Sequence, residues 1–400
     1  MCCGCFHPNA ATNVPCSDNG DCPGSQVCDQ SQSTPVCVSS IADAGTVDGD
    51  QQAGQPCSQD SDCESTVCAE TDGKCVDAGQ SLFVATTGLD SNECSQTMPC
   101  ATISRALQRV NGGRHTIRVA KGAYMDAFLI DGGTAVLISG EVVDFDGTDI
   151  TFDPTKMHDH VVEAQGTDIR IEGMGFHGGM AETLRSDSDL SLHHVGVFDS
   201  TQGGIDCNGC TLHLLDSLVS GHAQFGVDAR NDGSVSIHRS KIIGNAGGGV
   251  RVTTADFDIS SSFFVQNGKG NGGAQAFAIA NTTVTDPARF AFNTLSDNAA
   301  GGVSCGIPTT LSSDLFADNN GPVTGMCMAR YSLFKNTNVP GMGNLTMVDP
   351  LFVNQAAGNY HIGAGSPAID HADPMESEDT DYDGDPRPGG GNNDIGADEL

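Results

Sequence analysis

The chain has 400 residues, of which 18 are Lys or Arg and 51 are Asp or Glu, for a formal net charge of −33. A chain this acidic repels phosphate backbones, which argues against nucleic acid as a partner. Hydrophobic residues make up 38% of the chain and charged residues 17%, so a packed core is expected and wholesale disorder is not.

The first segment, residues 1–15, lacks the charged and apolar stretches of a signal peptide. We therefore expect the true start to lie upstream, because the cysteines described next indicate export. Cys2, Cys3 or Cys5 would then be the lipid-bearing residue of a bacterial lipoprotein, or else a free or intermodular thiol. No run approaches the ~18 apolar residues of a membrane helix, so an N-terminal lipid is the only membrane attachment we predict.

Residues 16–38 and 57–77 repeat one cysteine pattern, C-x5-C-x4–5-C-x6–8-C, on either side of an Ala-, Gly- and Asp-rich linker, residues 39–56. Each module has too few apolar residues for a core, so we expect two disulfides per module to stabilise it. Zinc is the alternative, but zinc sites favour the closer C-x2-C spacing. Disulfides require an oxidising compartment, which predicts a secreted or cell-surface protein.

The main body, residues 81–347, opens with Ile103, Ala106, Leu107 and Val110 at helical spacing. The cysteine modules resemble small repeats that precede β-helix domains in exported myxobacterial-type proteins. The stretch from Ser81 resembles the opening cap of pectate-lyase-like β-helix proteins. These resemblances imply a short helix that closes the end of a solenoid and a Cys94–Cys100 bridge that staples its loop.

A repeat of about 22 residues follows, which is the length of one solenoid coil. Three positions recur in the same register, so we predict an all-β fold, a right-handed parallel β-helix with an N-terminal capping helix and a small disulfide-rich N-terminal region. The first position carries Ile169, Leu190, Leu212, Val235, Phe257 and Phe290. The second, an inward apolar ladder, carries Ile205, Val227, Val250 and Val303. The third, at a turn, carries Asn245, Asn267, Asn298 and Asn319.

Charged residues occupy the outward positions of the second strand in each coil, where neighbouring rungs lie about 4.8 Å apart. The candidate catalytic residues are Asp206, Asp228 and Arg251, because paired carboxylates at about 5 Å suit retaining glycosidases. The candidate ligand-binding residues are Arg185, Asp187, Asn208 and Arg230. Arg230 and Arg251 could bind uronate carboxylates through two hydrogen bonds each. The alternative is an alternating-charge ladder on a solvated face.

Histidine pairs supply two weaker candidates. His158 and His160, which follow Met157, would form either a metal site or an exposed turn. His193 and His194 are expected to point to opposite faces of one strand, so that they cannot share a ligand. The sequence also lacks the Gly-His-Gly, Arg-x-Lys and Arg-x-Pro-x-x-Arg motifs of known polygalacturonases and lyases, which weakens the case for catalysis.

The C-terminal segment, residues 348–400, resembles the tail of bacterial β-helix surface proteins with a choice-of-anchor type ending. It contains four alternating aspartates, a pattern of hard oxygen donors that suits Ca²⁺; a solvated acidic loop is the alternative. No other cofactor is predicted. These aspartates are Asp379, Asp381, Asp383 and Asp385.

Four late cysteines complete the sequence predictions. Cys305 and Cys327 lie one coil apart at expected inward positions, so we expect them to be bonded or stacked in the core. Cys207 and Cys210 are expected to form a local bridge or to remain as two thiols. The function we predict is a non-catalytic, exported cell-surface protein for adhesion or carbohydrate binding, with a polysaccharide or surface glycan as partner. The alternative is a polysaccharide lyase or glycoside hydrolase acting on an acidic glycan.

Overall fold

The computed structural model describes residues 27–29, 36–38, 53–57, 62–63, 67–69, 73–140, 149–154, 158–253, 255–270, 272–280 and 288–400. Contacts divide the chain into two units, Met1–Cys68 with Asp72–Ala78 and Ala69–Thr71 with Gly79–Leu400. The candidate lipid-bearing cysteines, most of the first cysteine module and most of the linker lie outside the described residues. No helix among the described residues is long and apolar enough to cross a membrane.

Short strand pairs occur in both cysteine modules. In the first module, β1 (Val27–Asp29) pairs with β2 (Val36–Val38). In the second, β3 (Cys68–Ala69) and β4 (Lys74–Cys75) form a two-stranded sheet. Disulfides join Cys57 to Cys68 and Cys63 to Cys75, so the second module has a first-to-third, second-to-fourth connectivity that its spacing left open.

The second unit contains a parallel β-solenoid whose described strands, β5 (Ser81–Val84) to β31 (Leu345–Thr346), belong to one 27-stranded sheet. Its strands stack in three parallel ladders, one for each side of the coil. Ladder 1 contains β5 (Ser81–Val84), β6 (Thr116–Val119), β9 (Val136–Gly140), the first halves of β12 (Ile169–His177) and β14 (Leu190–Phe198), β16 (Thr211–Leu215), β19 (Ser234–His238), β22 (Asp256–Ser260), β25 (Arg289–Ala291), and the last parts of β27 (Val303–Ser312) and β29 (Val323–Arg330).

The other two ladders follow ladder 1 around each coil. Ladder 2 contains β7 (Gly122–Tyr124), β10 (Ile150–Phe152), the second halves of β12 and β14, β17 (Leu218–Ser220), β20 (Lys241–Ile243), β23 (Phe263–Val265), β26 (Thr294–Ser296), β28 (Leu315–Ala317), β30 (Leu333–Phe334) and β31 (Leu345–Thr346). Ladder 3 contains β8 (Phe128–Ile130), β11 (Val162–Ala164), β13 (Leu184–Ser186), β15 (Ile205–Asn208), β18 (Phe225–Arg230), β21 (Gly248–Thr253), β24 (Phe277–Ala280), and the first parts of β27 and β29.

The predicted coil register agrees with the structure in the ladder positions except at Phe290; the register of Cys305 and Cys327 is described below. Ile205, Val227 and Val250 are successive partners in ladder 3, and all three are buried. Phe290 was expected opposite Phe257, but it lies opposite Ile259. An insertion separates the coil of Phe257 from the coil of Phe290. The spacing alone did not show how many inserted residues belong to the loop and how many to the next strand.

A short helix, α1 (Ile103–Leu107), precedes the second rung of ladder 1. Its N-cap is Thr102, whose side chain accepts a hydrogen bond from the Arg105 amide. The helix is shorter than its apolar spacing indicated: it ends at Leu107, whereas the spacing extended to Val110. Its proposed role in closing the solenoid stays a prediction.

Between ladders 1 and 2, from β12 onward, the chain turns through one residue with positive φ in each of eight successive coils. We call this set the corner row. Such residues end the alternation of a strand, so their side chains project outward at the bend. The corner row consists of Gly173, His194, Asp216, Arg239, Ser261, Phe292, Ser313 and Tyr331.

Three disulfides lie within the solenoid, with Cα–Cα distances of 4.6 Å for Cys94–Cys100, 5.2 Å for Cys207–Cys210 and 5.2 Å for Cys305–Cys327. The last bridge differs in register from the sequence prediction. Cys305 is buried opposite Gly325, and a shift in the strand pairing places the half-buried Cys327 opposite Thr309.

The tail lies against the outer surface of ladder 2. Its hairpin of β32 (Phe352–Asn354) and β33 (Asn359–Ile362) and the segment that follows bury apolar side chains that ladder 2 and the corner row present outward. This second apolar layer joins Phe263, Val265, Ala291, Phe292, Leu315, Ala317 and Leu333 of the coils to Tyr360, Ile362, Ala368, Ala372, Ile395 and Ala397 of the tail.

Candidate functional site

The outward side chains of ladder 3 form a continuous charged row. Arg185 lies opposite Asp206, Asp206 opposite Asp228, and Asp228 opposite Arg251. Glu163 precedes Arg185 in the same position. This arrangement follows from the two-residue period of the strands, and it matches the register predicted from the sequence. We call these five residues the outer row.

Both oxygens of Asp228 are bound by arginines. Arg251 donates from Nε to Oδ1 at 2.8 Å, and Arg230 donates from Nη1 to Oδ2 at 2.9 Å. The Arg251 guanidinium also lies over the ring of Phe225, with 4.5 Å from Cζ to the ring centroid. Asp228 is therefore held as a charge-paired carboxylate in a fixed orientation.

Asp206 is buried, and only one of its oxygens has a hydrogen-bond donor. Arg230 donates from Nη2 to Oδ2 at 2.7 Å, whereas Oδ1 is shielded from solvent and has no hydrogen-bond partner among the described residues. Burial raises the pKa of Asp206; the carboxylates of Glu182 and Asp228 add to this effect, and Arg230 opposes it. One arginine thus bridges two carboxylates whose environments differ.

The remaining predicted ligand-binding residues lie beside the outer row. Asn208 donates from Nδ2 to Oδ1 of Asp187 at 3.2 Å, and it lies opposite Arg230 in the ladder. The structure therefore brings all seven predicted catalytic and ligand-binding residues onto one surface. It also shows that most of their polar groups bind each other, as the alternating-charge interpretation anticipated.

A cleft of about 380 Å³ adjoins one end of this surface, and we call it the Arg185 cleft. Its lining includes Arg185, Glu163, His158, His160 and Leu129. Within the part of the chain that the structure describes, Nε of Arg185 has no hydrogen-bond partner although it is shielded from solvent. The Arg185 guanidinium thus lines a concave site, and guanidinium groups in such sites bind anionic ligands.

His158 and His160 belong to this cleft. His160 contacts the backbone oxygen of Glu182 through Nδ1 at 3.1 Å. Met157 lies outside the described residues. The three described groups of possible metal-binding side chains do not contain these two histidines. The position of the histidines beside Arg185 was not evident from the sequence, because they lie in a loop whose path the strand pattern does not predict.

The expectation that His193 and His194 point to opposite faces is wrong. Their rings stack at 4.2 Å between centroids, because His194 has φ 50 and ends the strand alternation at the corner row. His193 Nε2 lies 3.1 Å from Oδ2 of Asp216, which Arg239 also binds at 2.6 Å. Burial alone would raise the pKa of Asp216, but the hydrogen bonds from His193 and Arg239 lower it to about 2.

The four alternating aspartates of the tail do not share one described cluster of possible metal ligands. Asp381 is buried, and its Oδ1 accepts hydrogen bonds from the amides of Asp383 and Asp385 at 2.9 and 2.8 Å. Its Oδ2 accepts from the Glu399 amide at 3.0 Å. Asp381 thus organises its own loop, Asp379 and Asp385 are exposed, and Ca²⁺ binding by this set stays a prediction.

Solved structures similar to this chain include polysaccharide-acting enzymes. The pectate lyase Pel9A has a TM-score of 0.52 and 14% identity, over 80% of this chain and 96% of its own. An alginate lyase from Paenibacillus sp. str. FPU-7 has a TM-score of 0.44 and 14% identity, over 62% of this chain and 98% of its own. A pectin methylesterase from Aspergillus niger has a TM-score of 0.38 and 15% identity, over 68% of this chain and 92% of its own.

No protein-family model and no curated protein matches the chain. The structural similarity therefore establishes the fold alone, a parallel β-solenoid. The solenoid disulfides indicate an oxidising compartment and suggest a secreted protein.

Proposed function

We propose that this chain is an exported, cell-surface protein that binds an acidic polysaccharide in the Arg185 cleft. The observation that carries the proposal is the Arg185 guanidinium, whose shielded Nε lacks a hydrogen-bond partner among the described residues. Guanidinium groups bind carboxylates through two parallel hydrogen bonds. A polysaccharide built from sugar acids such as uronates presents carboxylates at regular intervals along its chain.

The shape and composition of the surface support a polymeric ligand. A second cleft of about 380 Å³ shares Leu129 with the Arg185 cleft and is lined by Leu107 and Val110. Sugars have polar edges and apolar faces, so charged groups beside partly buried leucine and valine side chains suit them. Leu129 is 43% exposed and would contact the apolar face of a sugar ring.

We assign ligand binding, and not catalysis, to the surface formed by the outer row and the Arg185 cleft. A hydrolase with a carboxylate pair needs one group free to attack or to activate water. Asp228 is held by Arg230 and Arg251, and Arg230 also holds Asp206. We therefore assign the outer row a role in keeping the sheet surface rigid and in presenting arginine edges to the ligand.

Two features of the fold belong to the same proposal. We infer that the coil is right-handed, since crossover connections between parallel strands are almost always so. We also infer that α1, which contacts β5, β6 and β8, closes the first coil and forms one wall of the binding surface.

Catalysis on an acidic polysaccharide is the second candidate, and one observation favours it. The pKa of Asp206 is raised by burial, and a raised pKa favours the protonated form that a general acid needs. A lyase or hydrolase acting through Asp206, Asp228 and Arg251 would require Arg230 to release one carboxylate when substrate binds.

The test measures binding of the full chain to polygalacturonate and alginate by calorimetry, with dextran as the neutral polymer. Arg185→Ala removes a charge-assisted hydrogen bond worth about 1.5–3 kcal/mol, so we expect binding to weaken about 10- to 100-fold. Arg170→Ala is the matched control, because Arg170 lies on ladder 1, where its Nε contacts Asp168 at 3.4 Å. It should leave binding unchanged.

An equal loss in both variants would show that only overall charge matters and would overturn the proposal, as would failure of the native chain to bind either polyanion. The same mixtures are assayed for reducing ends and unsaturated uronates. Turnover by the native chain that disappears in Asp206→Asn and Asp228→Asn would establish the second candidate instead.

A further inference from the structure

The tail brings one imidazole and two carboxylates together beside ladder 2. His361 belongs to β33, Asp383 to the acidic loop and Asp398 to the end of the chain. One possible metal-binding atom from each lies within 4.8 Å of the other two. His361 Nε2 is 2.8 Å from Oδ2 of Asp383. These three segments are far apart in sequence, so the cluster exists only because the tail folds back on itself.

The orientation of the His361 ring is set by Asn359. Oδ1 of Asn359 accepts the backbone amide of His361 at 3.0 Å and contacts Nδ1 of the ring at 2.7 Å. An atom that accepts an amide hydrogen is an oxygen and cannot donate, so Nδ1 carries the hydrogen. In a neutral ring the lone pair is therefore on Nε2, which faces the carboxylates.

Nε2 of His361 is shielded from solvent and lies 2.8 Å from Oδ2 of Asp383. The contact with Asp383 and the nearby carboxylates raise the pKa of His361. A nitrogen lone pair that faces a carboxylate oxygen is repelled by it unless a proton or a metal ion lies between them, so a bound metal ion would take the place of that proton. A metal ligand has this geometry: one ring nitrogen donates to an oxygen and the other is directed at the ion.

The Asp398 carboxylate is also held in place. Asp398 is buried, and its Oδ2 accepts the Ile362 amide at 2.7 Å. The rings of Phe263 and Tyr382 meet His361 edge-on, with centroid distances of 5.4 and 6.0 Å. This apolar wall limits water on one side and strengthens electrostatic attraction between the carboxylates and a cation.

We propose that His361, Asp383 and Asp398 bind a zinc-type divalent ion that fastens the tail. An imidazole nitrogen with two carboxylates suits Zn²⁺, whereas Ca²⁺ takes six to eight oxygen ligands. Three protein ligands leave a fourth position for water. The site shares only Asp383 with the calcium loop expected from the sequence, and it does not depend on the proposed polysaccharide binding.

The experiment titrates Zn²⁺ into the chelator-treated, fully oxidised full chain by calorimetry. We expect one tight equivalent, and His361→Gln should weaken it more than about 100-fold, beyond the range carried by partners that only orient a ligand. Asn359→Ala, which removes the orienting oxygen, should weaken it about 10- to 100-fold. His371→Gln, at an exposed tail histidine, should leave it unchanged.

Two further arms separate this site from others. His194→Ala removes a member of the described cluster of His193, His194 and Asp216 and should not affect the tight equivalent. Co²⁺ bound in place of Zn²⁺ should give a spectrum without thiolate charge transfer, because no cysteine takes part. The proposal is overturned if the native chain binds no Zn²⁺, if His361→Gln binds as tightly as the native chain, or if the bound ion is lost in His194→Ala.

Discussion

At the scale of single residues, His222 makes the same kind of hydrogen bonds between coils as the asparagine of the next coil. Its Nδ1 accepts the Ser200 amide at 3.2 Å, so Nε2 carries the hydrogen and donates to the Val197 carbonyl at 3.1 Å. Asn245 repeats this in the next coil, where Oδ1 accepts the His222 amide and Nδ2 donates to the Val219 carbonyl. The imidazole must be neutral to serve in this way, and burial lowers the pKa of His222 to about 4.

The lowered pKa of His222 predicts a loss of stability in acid. Since the unfolded value is about 6.5, the contribution is complete above pH 6.5 and is lost as the pH falls towards 4. We expect the free energy of unfolding to drop by about 3 kcal/mol over this interval from this group. His222→Asn should remove that part of the slope in denaturant titrations, whereas His213→Asn, at an exposed site, should keep it. Equal slopes in all three proteins would contradict the prediction.

Asp314 is the acidic counterpart of His222 on the other side of ladder 2. Its Oδ1 accepts the amide of Asn293 at 2.8 Å, as an asparagine oxygen would, but Oδ2 is buried and has no hydrogen-bond partner among the described residues. Burial raises the pKa of Asp314 well above its usual range. Asn293 donates from Nδ2 to the Ile259 carbonyl, and the residue opposite Ile259 is Phe290. An amide at position 314 would therefore reach the Phe290 carbonyl.

We expect Asp314→Asn to stabilise the fold at neutral pH by about 1–3 kcal/mol, because it supplies a permanent donor and removes the cost of burying a titratable carboxyl group. A raised pKa favours the protonated carboxyl, so the contribution of Asp314 to stability is complete below about pH 3.8 and is lost as the pH rises through its raised folded-state pKa. The gain should therefore shrink in acid. Asp232→Asn, at an exposed loop, is the control, and a destabilised Asp314→Asn at pH 7 would refute the argument.

At the scale of elements, the sequence showed ladder positions that repeat the same residue type. It did not show positions where a different residue type makes the same hydrogen bonds. The asparagines at 245, 267, 298 and 319 form the predicted ladder, with Nδ2 to Oδ1 distances from 2.8 to 3.2 Å between neighbours. His222 lies 23 residues before Asn245, so the coil spacing could have identified it. A search for one residue type missed it, because the hydrogen-bonding pattern, rather than the side-chain type, is what each coil repeats.

The corner row marks the limit of the strand alternation used to interpret the sequence. Alternation placed the outer row correctly, since those residues lie within regular strands. It failed at His194, because non-glycine residues adopt positive φ too rarely to be assumed from sequence. It also failed to place His158 near Arg185, because a loop, and not a strand, carries that histidine.

At the scale of the whole molecule, the coils were predictable and the position of the tail was not. Each coil contacts mainly its neighbours, so a local repeat describes the solenoid. The tail binds ladder 2 through contacts between residues distant in sequence, such as the Ala397 amide with Thr294 Oγ1 at 3.0 Å. One signal was present: Phe263 and Val265 are outward yet apolar, and an exposed apolar row usually indicates a covering segment.

This arrangement predicts that the tail can loosen without unfolding the coils. Ile395 is fully buried in the apolar layer between tail and coils, so Ile395→Ala should destabilise that layer by about 2–5 kcal/mol. We expect tail amides, such as that of Ile362, to exchange faster with deuterium while the amide of Val250 in ladder 3 keeps its native rate. Val353→Ala, at a site 58% exposed, should change neither. If both amides accelerated together in Ile395→Ala, tail and solenoid would form one cooperative unit, and the coils would depend on the tail for their stability.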